Sequence, residues 1–242
     1  MLLWLVAVGF FMQTLDATIV NTALPARAQS LNTSPLHMQT VLVAYSLTMA
    51  RLIPISGWMA DRFGTRRVYM GAILVFVLGS LLCGLAATVP QLVVARIVQG
   101  AGGALLLPVG RLAVLRGYPR ERFLAAMSFV AIPGLIGPLL GPALGGWLVQ
   151  FASWHWVFFI NVPVGLVGWL VAQKFLPDFR GSNVQRLDAA GYALLALGMM
   201  FVSLSVDGFA GFGWSLGMIA AVMLTGIGCL AAYWQRAAQQ EH

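Results

Sequence analysis

The sequence predicts an all-α polytopic membrane protein with eight transmembrane helices. Hydrophobic residues make up 60% of the 242 residues and charged residues only 9%, and the mean hydropathy is +0.87. Soluble domains typically carry about 25% charged residues. Apolar runs of about 20 residues, the length that crosses roughly 30 Å of hydrocarbon, occur eight times along the chain.

Each run is long enough to span a bilayer once. The predicted spans, in chain order, are 3–26, 38–60, 68–88, 91–113, 122–150, 155–175, 188–206 and 215–235.

The loops between the runs alternate in charge, which predicts their orientation. Basic residues concentrate in every second loop and after the last run: Arg62, Arg66, Arg67, Arg116, Arg120, Arg122, Lys174, Arg180, Arg186 and Arg236. The intervening connections hold only Arg27. By the positive-inside rule both termini are cytoplasmic, and the connections 27–37, 88–91, 150–155 and 207–214 face outward. Because the basic residues are spread over short loops, the net charge of +7 does not indicate a nucleic-acid partner.

The first run places a carboxylate, Asp16, at its centre. An ionisable side chain near the bilayer midplane costs at least about 2.5 to 3.5 kcal/mol and is tolerated mainly where it faces a cavity or a partner charge. Asp16 is therefore a candidate functional residue.

The second run contains Arg51 among apolar neighbours. We interpret Arg51 as part of a flank near lipid, with its guanidinium reaching toward an interface. The run ends in a compact charged turn, Gly57–Arg67, short enough to couple two helices rigidly.

The fourth run carries a polar face with helical spacing. Its members are Arg96, Gln99, Gly100, Gly103, Leu107 and Arg111. Arg111 lies near the cytoplasmic end, where a long side chain reaches water, whereas Arg96 lies deeper. The two glycines make room for a helix or for water. Asp16 and Arg96 are thus each other's most economical partners.

The fifth run is rich in glycine and proline. Gly137, Gly141 and Gly145 lie four residues apart, so they share a helix face that a neighbouring backbone can approach closely. Pro138 and Pro142 remove helix hydrogen bonds and predict a bend. Close packing is the simplest interpretation, and a gate or hinge is the alternative.

The sequence contains no recognisable catalytic or metal-binding pattern. It shows no nucleophile with a nearby base and no metal-ligand spacing, so neither an enzyme nor a cofactor is predicted. His37 and His155 fall at outer helix starts, where interfacial histidines are expected. Cys83 and Cys229 lie near opposite membrane faces, so no disulfide is expected.

Several stretches resemble motifs of the major facilitator superfamily. The turn Gly57–Arg67 is similar to its loop signature. The stretch Arg96–Ala104 is similar to its fourth-helix motif, and Gly137–Gly146 is similar to its antiporter motif. Leu15–Pro25 and Trp154–Pro163 resemble the fourteen-helix drug:proton antiporter branch.

The resemblance implies a fold. Residues 1–176 would form a six-helix bundle of two inverted three-helix repeats, and residues 177–242 two linker helices. A second six-helix bundle is expected to be absent, since 242 residues supply eight helices. The chain departs from the family pattern at Ser128, where a glycine is usual, at His155, where an arginine is usual, and at Arg51, where the family is usually apolar.

The resemblance also implies an activity, the proton-coupled efflux of lipophilic drugs across the bacterial inner membrane. Protons, a small lipophilic drug and the lipid bilayer would be the partners. Asp16 would bind the coupling proton and Arg96 would modulate its affinity; the rival interpretation is a static, buried ion pair. The cavity-lining candidates are Gln13, Asn21, Gln99, Gly100 and Gly103.

In the same family the charged turn acts as a cytoplasmic gating latch between the two bundles. The latch candidates are Gly57, Asp61, Arg62, Gly64, Arg66 and Arg67. The alternative is that these residues serve only topology and loop solubility. Without a second bundle, the latch is expected to have nothing to close against.

Two other functions stay open from the sequence. One is a truncated or half-size membrane protein that does not transport and acts only by assembling with another half. The other is a metabolite exporter with the same fold, since a fold does not fix a substrate. The oligomeric state is not predicted.

Overall fold

The computed structural model describes residues 1–30, 33, 35–182, 187–210 and 213–240. In this part of the chain, eight helical segments are long and apolar enough to cross a membrane, which confirms the predicted fold class. The helices are α1 (Leu2–Ser30), α2 (Pro35–Leu52), α3 (Ser56–Phe63), α4 (Thr65–Leu85), α5 (Val89–Gly117), α6 (Arg120–Phe151), α7 (Trp156–Phe159), α8 (Asn161–Phe175), α9 (Ala189–Ala210) and α10 (Leu216–Gln240).

Two of the eight spans are interrupted. The second span consists of α2, a 3₁₀ turn at Ile53–Ile55 and α3; Pro54 in that turn has no backbone N–H to donate, which breaks the α-helical ladder. The sixth span consists of α7 and α8, which are separated at Ile160.

Two predicted outward connections begin inside helices instead. Arg27 lies in the last turns of α1, where its guanidinium packs over the rings of Trp154 and Phe158, 4.9 and 4.7 Å from their centroids. Asp207 lies in the last turn of α9. Each helix continues through its charged residue, Arg27 or Asp207, because neighbouring helices pack against that residue. Arg186, predicted in a cytoplasmic loop, lies outside the described residues.

The first six spans form one bundle in which α1 packs along α6 and α5 packs along both α2 and α4. Buried apolar side chains fill it, with Tyr69 and Phe76 near the Arg-rich loops and Ile19 and Phe158 toward the other end. The Tyr69 hydroxyl donates to the Leu5 carbonyl at 3.3 Å, so this buried polar group is satisfied.

The glycine row of α6 is the contact surface for α1. Gly137, Gly141 and Gly145 are buried, whereas Pro138 and Pro142 are exposed on the other face of α6. The three glycines face three threonines of α1, which are Thr14, Thr18 and Thr22. Thr14 and Thr18 donate to carbonyls of their own helix at 3.0–3.1 Å. The interface is therefore close backbone packing, as expected for small residues in lipid.

The last two spans form a helical hairpin that rests on α2. Gly198 of α9 and Gly226 of α10 let the two backbones approach closely, and Arg236 pairs with Asp188 at 2.8 Å. Helix α9 packs against α2 and the 3₁₀ turn, and the Tyr192 hydroxyl donates to the Arg51 carbonyl at 3.0 Å. The Arg51 side chain is exposed.

The glycine row provides a matched test of the α1–α6 packing. A methyl group at Gly137 would lie 2.9 Å from the Leu15 backbone nitrogen, whereas one at Gly146 would meet nothing within 4 Å. We expect Gly137→Ala to lower the free energy of unfolding by about 1 to 3 kcal/mol through overpacking, and Gly146→Ala to be neutral or stabilising. Denaturant unfolding in a mild detergent measures both. Equal stability of the two variants would contradict this packing.

Candidate functional site

The predicted pair Asp16 and Arg96 forms a buried ion pair in the bundle. The Nη1 atom of Arg96 lies 2.7 Å from Oδ2 of Asp16, and the two side chains are 1% and 0% exposed. Asp16 lies at the middle of α1, and Arg96 lies two turns into α5. Their contact explains how two charges are accommodated at membrane depth.

Two amides complete the coordination of the carboxylate. Nε2 of Gln99 and Nδ2 of Asn161 each donate to Oδ1 of Asp16 at 2.8 Å. Gln99 also accepts from Arg96 Nη1 at 2.6 Å. Asp16 therefore accepts three hydrogen bonds from side chains of two other spans.

The hydroxyl of Ser80 on α4 links the side-chain amides of Gln99 and Asn161. Its Oγ accepts from Gln99 at 2.6 Å and from Asn161 at 3.2 Å. Gly79 makes this possible, because a side chain there would collide with the backbone of Gln99. The network thus joins the first, third, fourth and sixth spans.

An aromatic ring covers the guanidinium of Arg96. The Arg96 Cζ atom lies 4.0 Å from the centroid of the Tyr45 ring, a cation–π contact. Arg96 Nε and the Tyr45 hydroxyl have no hydrogen-bond partner among the described residues. The pair is enclosed on one side by amides and on the other by an aromatic ring.

A cavity of about 630 Å³ lies beside this pair, between the bundle and the α9–α10 hairpin; we call it the interhelical cavity. Most of its wall is apolar, and its polar lining is Asn21, Tyr45, Ser46, Arg96, Ser203 and Asp207.

The predicted cavity-lining residues are distributed differently from the expectation. Asn21 lines the interhelical cavity, whereas Gln13 and Gln99 are buried inside the bundle. Gly100 and Gly103 do not leave open space, because Tyr45 packs against both of them. The reason is that α2 fills the room that the glycines create.

Sequence reasoning missed the residues that support Asp16. Asn161 lies in the stretch Trp154–Pro163, and its amide at a helix start was a usable signal. Ser80 and Tyr45 carry no comparable signal, because isolated hydroxyl groups are common in membrane helices. Only the packing of α2 and α4 on α5 identifies them.

Arg27 was also missed, as it was assigned to a loop. Its side chain is fully buried, and its three nitrogens have no hydrogen-bond partner among the described residues. His155 lies nearby and stacks on Trp154 with ring centroids 3.7 Å apart. Burial and the positive charge of Arg27 lower the pKa of His155, which favours the neutral ring. The arginine that is usual at this position would instead place a second positive charge next to Arg27.

The charged turn is fastened to other parts of this same chain. Asp61 pairs with Arg116 at the end of α5 at 2.5 Å. Thr65 Oγ1 donates to the Pro177 carbonyl and accepts from the Phe179 N–H, both at 2.9 Å. The turn therefore packs against α5 and residues 177–181 of the same chain, contacts that the latch prediction did not include.

The remaining residues of the turn have distinct positions. Gly64 separates α3 from α4 with φ of 94°, a conformation that favours glycine. The Arg66 side chain donates to the Leu176 carbonyl. Gly57, Arg62 and Arg67 are exposed.

The ion pair predicts non-additive mutational effects. Asp16→Leu leaves Arg96 buried without its anion and should lower the free energy of unfolding by about 3 to 5 kcal/mol. The double variant Asp16→Leu with Arg96→Met should lose less, because it buries no unpaired charge. Denaturant unfolding of both variants and of Arg96→Met completes the cycle. Additive losses would show that the two residues do not interact.

The turn gives a second matched pair of glycines. At Gly64 a methyl group would meet the Asp178 carboxylate, with Cγ 2.9 Å away, and the positive φ adds strain. We expect Gly64→Ala to cost about 1 to 3 kcal/mol, and Gly57→Ala, where nothing lies within 4 Å, to be tolerated. Thermal unfolding and limited proteolysis near residues 61–67 check this. Wild-type behaviour of Gly64→Ala would contradict the tight turn.

Comparisons with known proteins place this geometry in a family. A model described as Major Facilitator Superfamily matches residues 6–227. The chain is 53% identical over 235 residues to a protein of Serratia proteamaculans (strain 568) and 52% identical to one of Yersinia pestis (strain Pestoides F). Both are provisionally named multidrug resistance protein MdtD. The alignments cover 97% of this chain but 49% and 50% of those proteins, so the chain spans about half their length.

Solved structures share the fold at low sequence identity. A peptide transporter POT in complex with sulfate matches with a TM-score of 0.65 and 20% identity, covering 90% of this chain and 48% of that one. The human organic anion transporter MFSD10 matches with a TM-score of 0.66 and 14% identity, covering 83% and 54%. Together with the family model and the relatives at 52–53% identity, these likenesses show that the chain belongs to the Major Facilitator Superfamily.

Proposed function

We propose that this chain forms the first bundle and linker hairpin of a proton-coupled exporter of lipophilic drugs in the bacterial inner membrane. The observation that carries the proposal is the buried network around Asp16, which joins four spans through one ionisable group. The names of the Serratia and Yersinia relatives support a drug as the cargo.

The network suggests how a proton changes the bundle. A proton on Asp16 removes the negative charge that attracts Arg96, which then keeps Gln99 Oε1 and the Tyr45 ring as its contacts. Since Gln99 and Asn161 donate to the same carboxylate oxygen, their hydrogen bonds also weaken. Protonation thereby loosens α1 from α5 and α8, the kind of two-state change that alternating access needs.

The interhelical cavity fits a small lipophilic molecule. Its volume of about 630 Å³ is within the range of roughly 300 to 1,000 Å³ typical of ligand sites. Apolar side chains from α1, α2, the 3₁₀ turn, α9 and α10 line it, namely Ala17, Leu42, Met49, Ile53, Met199, Val202 and Leu230.

The charges outside the bundle support a cytoplasmic placement of both termini. The Arg-rich loops, including the turn held by Asp61 and Arg116, then face the cytoplasm. In this position the turn acts as the gating latch, and its contacts with residues 177–181 couple it to the start of the linker hairpin.

The second candidate is a static role for the Asp16–Arg96 pair, and the burial of both side chains favours this role. Asp16 and Arg96 are at most 1% exposed, and the carboxylate already has three donors. A pair of this kind can fix helix packing without exchanging a proton. A half-size protein that assembles with another half would keep the same pair.

The decisive variant is Asp16→Asn, which keeps the shape of the side chain and removes its titratable group. We would join this chain to the remaining half of the Serratia relative and measure efflux of a fluorescent lipophilic dye from cells, with and without an uncoupler. We expect Asp16→Asn to abolish uncoupler-sensitive efflux, because no proton can be exchanged at this position.

The control is Glu121→Gln, which removes an exposed carboxylate from the first turn of α6 and should leave efflux unchanged. Membrane amounts of both variants are compared by immunoblot. Uncoupler-sensitive efflux that persists in Asp16→Asn at normal abundance would refute the proton role and leave the static pair. Efflux by this chain alone would support a half-size transporter.

A further inference from the structure

Asp207 is a second carboxylate within a membrane-length helix. It lies in the last turn of α9, at the end of the bundle opposite the Arg-rich loops. Its Oδ2 atom is buried and has no hydrogen-bond partner among the described residues. A buried, unsatisfied carboxylate oxygen is costly, so its position calls for a functional explanation.

The interhelical cavity brings Asp207 into the same space as Arg96. The titratable or charged groups that face Asp207 across this cavity are Tyr45 on α2 and Arg96 on α5. Among the described residues, the other elements that line the cavity contribute uncharged side chains, including Asn21 of α1, Ile53 of the 3₁₀ turn and Leu230 of α10. Arg96 in turn is the ion-pair partner of Asp16.

The two carboxylates differ in how they are held. Asp16 accepts three hydrogen bonds and is fully buried. Asp207 is half-buried and shares the cavity wall with Ser46, whose hydroxyl donates to the Val43 carbonyl at 3.1 Å. Asp207 can therefore gain or lose a proton without dismantling a network, and water can reach it.

The cavity is large enough to connect the two sites through water. Its volume of about 630 Å³ greatly exceeds the roughly 30 Å³ that one water molecule occupies in the liquid. Asn21, Tyr45 and Ser203 supply polar groups along its wall. The Tyr45 hydroxyl, which has no partner among the described residues, lies on the same helix as Ser46.

We propose that Asp207 is a proton-binding carboxylate of the interhelical cavity, through which protons from this end of the bundle reach the Asp16–Arg96 pair. Hydronium in the water at that end gives a proton to the Asp207 carboxylate. Asp207 then releases this proton to cavity water, which delivers it to Asp16, and the Asp207 carboxylate is restored. Proton binding at Asp207 is inferred from the position of Asp207 in the cavity, whereas proton delivery to Asp16 rests on the proposed function.

Infrared difference spectroscopy of this chain in lipid bilayers tests the first step. A change from alkaline to mildly acidic buffer should produce a reversible C=O stretch of a protonated carboxyl group, which shifts rapidly in D₂O. We expect Asp207→Asn to lose this band and Glu121→Gln to keep it. A band that persists in Asp207→Asn, or the absence of any reversible band, would overturn the proposal.

A second variant separates protonation from misfolding. Ser46→Ala removes the hydroxyl beside Asp207 and leaves the carboxylate in place. We expect it to keep the reversible band at a shifted frequency, because the surroundings of the carboxyl group become less polar. An unshifted band would place the titrating group elsewhere. Circular dichroism confirms the same helix content in each variant.

Dye efflux by the fusion with the Serratia half tests the delivery step. Asp207→Asn should reduce uncoupler-sensitive efflux relative to Glu121→Gln. A lost band with unchanged efflux would refute delivery to Asp16 and retain proton binding at Asp207. A fusion that exports no dye would count against the proposed function and the delivery step, whereas the infrared result would still decide the first step.

Discussion

The electrostatic requirement of one buried carboxylate organises the bundle. Asp16 lies in the middle of a membrane-length helix, where an unpaired charge is too costly to keep. Arg96, Gln99 and Asn161 compensate it, and they come from α5 and α8. The positions of three helices relative to α1 are thus linked, because Ser80 of α4 holds the two amides.

Close helix packing allows this polar network to form. Gly79 lets α4 approach the backbone of Gln99, and Gly137 and Gly141 let α6 approach α1. In lipid, the hydrophobic effect does not drive helices together, so small residues and interhelical hydrogen bonds determine their contacts. The same chain uses both devices: small residues where helices approach closely, such as Gly79 of α4 and the glycine row of α6, and side-chain hydrogen bonds around Asp16.

The charged turn and the linker hairpin show a related principle at the ends of the spans. Asp61 binds Arg116, and Thr65 binds residues 177 and 179, so the turn is connected to the segment that leads to α9. The hairpin then returns over α2 and encloses the interhelical cavity. Helix α9 also packs on the 3₁₀ turn that precedes α3, so the charged turn and the cavity wall belong to one packed region.

The sequence alone determined the number of spans, their approximate bounds, the fold class and the pairing of Asp16 with Arg96. These follow from strong physical constraints, namely the length of an apolar helix and the cost of a lone buried charge. The motif residues also pointed to the superfamily. The predicted ends of α1 and α9 were less accurate. A charged residue such as Arg27 or Asp207 is typical of a loop, and only the packing of the neighbouring helices shows that it lies within a helix.

Only the tertiary structure decided which uncharged residues complete the site. Gly100 and Gly103 were expected to line a cavity, but Tyr45 fills the space beside them, and the cavity lies instead against α9 and α10. Ser80 and Asn161 lie 64 and 145 positions after Asp16 in the sequence. Asn161 nevertheless donates to both the Asp16 carboxylate and the Ser80 hydroxyl. Helical spacing reports which residues share a face of one helix, whereas the neighbour of that face depends on how all the helices pack.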